Sequence, residues 1–208
     1  MKRYVMEAIG TFFVTLAIIL TGNPLAIGAM VAACVYMGWS VSGGHYNPML
    51  SFTAYLQSKL DRNLLSGYII AQILGAFIAL LGVYLVLRVP YLPPVEPELR
   101  SFIVALLIEG LLSFLFCYVF LIVINTAELR SSGLYGILIG GALMAVAFIR
   151  GLFNPAVALA SLFLNAFMLP WPAVVAASVY VLGPVLGAYA ASHAYNYFMR
   201  RDQGMTPR

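Results

Sequence analysis

Charge is the scarcest property of this 208-residue chain: Asp, Glu, Lys and Arg together make up 9% of it, and histidine occurs twice. With 63% hydrophobic residues, too few polar side chains remain to cover a soluble domain, so that class is excluded. Cysteine is as rare. Cys34 and Cys117 each lie inside an apolar run, where they read as small packing residues rather than a disulfide framework. No His/Cys cluster has metal-ligand spacing, and no metal or other cofactor is expected. A nucleophile–base constellation and a phosphate-binding loop are also missing, so catalysis has no candidate and the chain does not read as an enzyme. The net charge of +4 comes from Lys and Arg outside the apolar segments, with no aromatic-interleaved basic patch, which argues against nucleic acid as a partner.

What the chain has is hydrophobic length. Apolar segments at 4–21, 25–42, 66–88, 101–125, 133–149 and 173–198 each approach the ~20 residues that cross a bilayer core. Met1-Lys2-Arg3 before the first run imitates a signal peptide, but Glu7 interrupts it and no small-residue cleavage site follows, so 4–21 is expected to be the first span. Six spans bring both termini to one face. That face collects Lys2, Arg3, Lys59, Arg62, Arg130, Arg200, Arg201 and Arg208, against Arg88, Arg100 and Arg150 on the other. This asymmetry predicts that both termini are cytoplasmic, and the expected location of this multi-pass protein is the cell membrane. A single integral domain, 1–208, uses the whole length.

Two apolar stretches are left over, 47–57 and 154–165, both too short to span. At about 1.5 Å per residue they reach roughly half the core thickness, which fits either a re-entrant half-helix or a helix lying flat at the interface. Two features favour the re-entrant form. The first is an internal repeat, about 1–90 against about 100–200. Glu7-x-x-x-Thr11-Phe12 recurs as Glu109-x-x-x-Ser113-Phe114, and Asn47-Pro48 recurs as Asn154-Pro155. Tyr68-x-x-Ala71-Gln72-x-x-Gly75-Ala76 recurs as Tyr180-x-x-Gly183-Pro184-x-x-Gly187-Ala188. Each half holds an odd number of spans, so the second enters the membrane inverted, and in such repeats the two unusual segments meet near the midplane. The second feature is that each stretch begins Asn-Pro, a good N-cap followed by the residue favoured at the first helical position. The fold class is therefore all-α membrane protein, with six transmembrane helices and two re-entrant half-helices starting at Pro48-Met49 and Pro155-Ala156.

Non-helical backbone at membrane depth is tolerated where it is buried or lines a water-filled cavity. At each turn the Asn side-chain oxygen can cap its own helix, leaving the NH₂ of Asn47 and Asn154 free to donate outward as paired pore-centre donors. Each half-helix also aims about half an elementary positive charge at this place. Cations and protons are disfavoured there, whereas neutral molecules with an oxygen lone pair are accepted, so the expected permeants are water and small neutral solutes.

With these residues in view, the sequence resembles the aquaporin and glycerol-facilitator family, the major intrinsic proteins. Ser42-Gly43-Gly44-His45-Tyr46-Asn47-Pro48 is similar to its first signature and Asn154-Pro155-Ala156 to its second, and the resemblance covers nearly the whole chain. It implies a right-handed six-helix bundle, one pore per subunit and a homotetramer. It further implies that Glu7 and Glu109 are buried braces for the re-entrant loops and that His45 helps fix the first. Their matched placement favours this bracing over a proton relay, the other use of intramembrane carboxylates.

Two departures stand out. Met49 occupies a place where Ala is usual, and Val157 the place of the arginine in the family's outer selectivity constriction. Ile27 and Gly151 fall at two further constriction positions; the remaining one falls on Ala147, giving a wide apolar constriction, or Phe148, giving a narrow one. Arg150, four residues before Asn154, is a mouth residue that could swing in to replace the missing charge. The expected function is a passive channel with an unusually apolar outer constriction and weak discrimination of water from glycerol. Its competitors are a non-conducting structural or adhesive membrane protein of the same fold and a proton-coupled small-solute transporter.

Overall fold

The computed structural model describes residues 1–88, 91, 99–149, 151–165 and 171–201, with Leu99, Arg100, Arg200 and Arg201 described in backbone only. Within them the secondary structure is helical throughout. The first half contains α1 (Lys2–Thr21), α2 (Pro24–Ser42), α3 (Pro48–Leu56) and α4 (Arg62–Leu87). The second contains α5 (Leu99–Asn125), α6 (Ala127–Ser131), α7 (Tyr135–Ile149), α8 (Pro155–Leu164), α9 (Trp171–Ala177) and α10 (Val179–Arg201). The turns between them follow their capping residues. Gly22 takes a left-handed φ of 56° and closes α1 through its N–H to Ile18, and Asn23 then caps α2 with Oδ1 on the N–H of Leu25.

Among the described residues, five stretches are long and apolar enough to cross a membrane: Lys2–Thr21, Pro24–Ser42, Arg62–Leu87, Ser101–Asn125 and Trp171–Met199. The six expected spans correspond to α1, α2, α4, α5, α7 and the pair α9 and α10. Helix α7 is described over 15 residues, Tyr135–Ile149. The last span is broken at Ser178 into α9 and α10. There the Ser178 hydroxyl takes the carbonyl of Val175 at 2.6 Å, competing with the helical ladder.

The two halves pack in the same way. Helix α4 lies along α1 and α10 along α5, while α2 and α7 face each other across the centre. Each contact depends on a residue without a side chain. A Cβ on Gly75 would strike the carbonyl of Ala8, and one on Gly187 would come within 2.5 Å of the carbonyl of Gly110. Gly28 and Gly140 abut each other's carbonyls between α2 and α7. Small residues let helix backbones approach where lipid offers no hydrophobic driving force, and here they serve contacts within one bundle. The polarity of the bundle is inverted relative to a soluble protein. Ile70, Leu74 and Ile78 form an exposed row along α4, whereas Glu7, Gln72, Glu109, Ser51 and Ser161 are buried. A chain with this polarity and these helices is an integral multi-pass membrane protein.

Candidate functional site

The centre of the bundle is built by α3 and α8. Asn47 and Asn154, both in extended conformation, cap them: Asn47 Oδ1 accepts the N–H of Met49 at 3.0 Å and Asn154 Oδ1 that of Ala156 at 3.1 Å. Pro48 and Pro155 follow at the first helical position, where a missing N–H costs nothing. The helices run 9 and 10 residues, about 14 and 15 Å, so neither crosses the layer.

Each amide spends one of its protons on the opposite loop. Asn47 Nδ2 donates to the carbonyl of Phe153 at 2.6 Å, and Asn154 Nδ2 donates to the carbonyl of Tyr46 at 3.0 Å. Each turn is thus tied to the residue preceding the other turn's asparagine. An amide carries two protons, so this bond uses one and leaves the other. Tyr46 and Phe153 achieve the reach through left-handed backbone, φ 51° and 50°, a conformation that costs roughly 1–2 kcal/mol in a residue with a side chain. Sequence reasoning passed over both. The available signal was an aromatic residue directly before each Asn-Pro. Tyr46 is further fixed by its hydroxyl, which donates to the carbonyl of Cys34 at 2.7 Å, and its ring fills a slot left by Gly10 and Gly38.

Two buried carboxylates hold the loops that lead into these turns. Glu7 accepts four hydrogen bonds, from Ser42 Oγ at 2.6 Å, the N–H of His45 at 3.1 Å, the N–H of Tyr46 at 2.6 Å and Gln72 Nε2 at 2.8 Å. Gln72 also donates to Ser51 Oγ, which lies 3.1 Å from His45 Nδ1. His45 is seated edge-on against Tyr68 and Phe120. Glu109 accepts from the N–H of Leu152 at 2.6 Å and of Phe153 at 3.3 Å. The two halves differ here because Pro184 occupies the place that Gln72 has in the first half and brings no amide.

A cavity of about 210 Å³ opens at the face where α1 ends and α2 begins, near Gly22 and Pro24, and descends to Asn154. Ile27, Ala147 and Gly151 line it, together with Val14, Ile18 and Leu143. Gly151 has φ 138°, and a Cβ there would lie 2.6 Å from Glu109 Oε1, so conformation and space both require glycine. Phe148, one of the two alternatives for the constriction, is corrected: it turns outward and is 64% exposed. Val157 is corrected as well. It has no exposed surface, is packed within the hydrophobic core and is not among the residues that line the cavity. Met49 and Ala156 are likewise buried in the core. Arg150 lies outside the described residues. Several lining residues were not foreseen, among them Tyr91 from the connection between the repeats. Among the described residues, no group of three or more His, Cys, Asp or Glu side chains is placed to hold a metal ion.

Residues 14–195 match the family model described as major intrinsic protein. The chain belongs to this family. Among its relatives, glycerol uptake facilitator protein-like 6 of Lactiplantibacillus plantarum is 30% identical over 215 residues, covering 92% of this chain and 95% of the relative. Aquaglyceroporin AqpS of Rhizobium meliloti is 29% identical over 182 residues, 80% of this chain and 77% of the relative. The fold of this major intrinsic protein is that of the aquaglyceroporin from Plasmodium falciparum, with a TM-score of 0.80 at 19% identity and 99% of each chain covered.

Proposed function

We propose that this major intrinsic protein is a passive channel for water and small uncharged polar solutes such as glycerol. The observation that carries the reading is the reciprocal pair Asn47–Phe153 and Asn154–Tyr46, which fixes two half-helix N-termini against each other at the inner end of an open cavity. Two converging positive helix ends repel cations, and the proton left on each amide serves a passing lone pair. The names of the relatives, a glycerol uptake facilitator and an aquaglyceroporin, agree with this substrate class.

In this reading Glu7, Glu109 and His45 are braces, not proton carriers, and the chain performs no catalysis. Ile27, Ala147 and Gly151 form the outer constriction, and the small apolar Ala147 makes it wide enough for weak discrimination between water and glycerol. The protein is a homotetramer in the cell membrane with both termini cytoplasmic, each subunit a single domain carrying its own pore. Stopped-flow light scattering on proteoliposomes tests the core of the proposal. Permeability to water and glycerol above that of empty liposomes, unaffected by an imposed pH gradient, is expected. Uptake that needs the gradient indicates a coupled transporter, and permeability equal to empty liposomes indicates a closed bundle.

A further inference from the structure

The cavity has a one-sided lining. Val14, Ile18, Ile27, Leu143 and Ala147 give it an apolar wall, and among the described lining residues the only polar side chains are those of Asn154 and Tyr91. Tyr91 is clasped in place by α8. Its main-chain oxygen accepts a hydrogen bond from Ser161 Oγ at 2.8 Å and one from Asn165 Nδ2 at 3.2 Å, and Asn165 Nδ2 also donates to the carbonyl of Ser161 at 2.8 Å. Ser161 and Asn165 are 0% and 3% exposed, so this is a buried attachment. The same half-helix begins at Asn154. One element therefore carries Asn154 at its start and anchors the Tyr91 main chain farther along its length.

A solute with several hydroxyls loses water on entering such a passage, and each hydroxyl left unpaired costs roughly 1–3 kcal/mol. A phenol both donates and accepts, and its ring adds apolar surface. With Phe148 turned outward and Val157 buried, neither can supply this function. We propose that Tyr91 is the specificity-determining residue of the vestibule, binding small uncharged polyols by their hydroxyl edge while their carbon edge lies on Ile18, Ile27 and Ala147. This assignment rests on the channel reading above and adds to it the residue that chooses among neutral solutes.

The test is the permeability of proteoliposomes to water, glycerol and 1,2-propanediol, which lacks one of the glycerol hydroxyls, for wild type and Tyr91→Phe. Loss of the phenol oxygen is expected to lower glycerol permeability about tenfold, water less than twofold, and 1,2-propanediol less than glycerol. Ser161→Ala combined with Asn165→Ala, which releases the clasp but keeps the phenol, is expected to lower the glycerol-to-water ratio at least threefold. A ratio within twofold of wild type in Tyr91→Phe overturns the assignment while leaving the channel intact. A wild type that conducts nothing above empty liposomes overturns both.

Discussion

Asn47 donates to the carbonyl oxygen of Phe153 at 2.6 Å, joining residues 106 positions apart through one amide proton. With its counterpart from Asn154 to Tyr46, this contact locks two re-entrant loops that share no regular secondary structure. Replacing Asn47 by Ala removes a helix cap and leaves a buried carbonyl unpaired, at a combined cost of about 2–4 kcal/mol. Asn47→Asp keeps a capping oxygen but cannot donate, and it places a negative charge where two positive helix ends otherwise repel cations. Both variants are expected to lower the thermal midpoint in detergent. Asn47→Asp should also admit cations, read as dissipation of a potassium gradient in liposomes that wild type maintains.

Glu7 accepts four hydrogen bonds and Glu109 accepts two backbone ones among the described residues. Glutamine at either site swaps one accepting oxygen for a donating NH₂ that faces other donors. Glu7→Gln is expected to cost about 3–5 kcal/mol and Glu109→Gln about 1–3 kcal/mol. Unfolding of the two variants side by side in mixed micelles gives the order, which reverses if the second brace carries the greater share.

Gly75 and Gly187 sit where a Cβ would collide with the backbone of the neighbouring helix, while Gly82 and Gly141 have open space around them. Gly75→Ala and Gly187→Ala are expected to destabilise by about 2–3 kcal/mol through overpacking. Gly82→Ala and Gly141→Ala should be neutral or stabilising by up to about 1 kcal/mol, since alanine is the better helix former. Thermal midpoints of the four purified variants check this.

Ala147 lines the vestibule and Val157 does not. Ala147→Phe is therefore expected to cut glycerol permeability at least tenfold with a smaller effect on water. Val157→Ala, which trims a core side chain, should cost about 1–3 kcal/mol of stability and leave the ratio of the two permeabilities within twofold. Stopped-flow traces on both variants decide between this assignment and one that puts position 157 in the passage.

Burial, with smaller contributions from Tyr180 and Glu109, pushes the Tyr91 phenol up to about 12. A raised value keeps the protonated, neutral form in place below it. The glycerol permeability of wild type relative to Tyr91→Phe is thus expected to stay constant between about pH 6 and pH 9, because the group titrates only above that range. Repeating the swelling assay across this interval tests it.

Composition, the inverted repeat and the two Asn-Pro turns were sufficient to specify the bundle, its re-entrant half-helices and the chemistry at their N-termini. These features are local. Hydrophobic length reads the span, and a cap reads the helix start from the residue that makes it, so neither needs a distant partner to be known. The break at Ser178 was less legible, because the surrounding residues are as apolar as any span and only a side-chain hydroxyl competes with the ladder.

What only the tertiary structure decided is which side chains face the passage. Ala147 and Phe148 are neighbours in sequence with opposite fates, since a helix turns about 100° per residue and packing against α2 selects the inward face. Val157 retired into the core for the same reason. Tyr91 entered from a connection with no helical period to predict its direction, held by two side chains some 70 residues away. Such long-range side-chain to backbone bonds leave no pattern in the sequence, and the choice among neutral solutes depends on them.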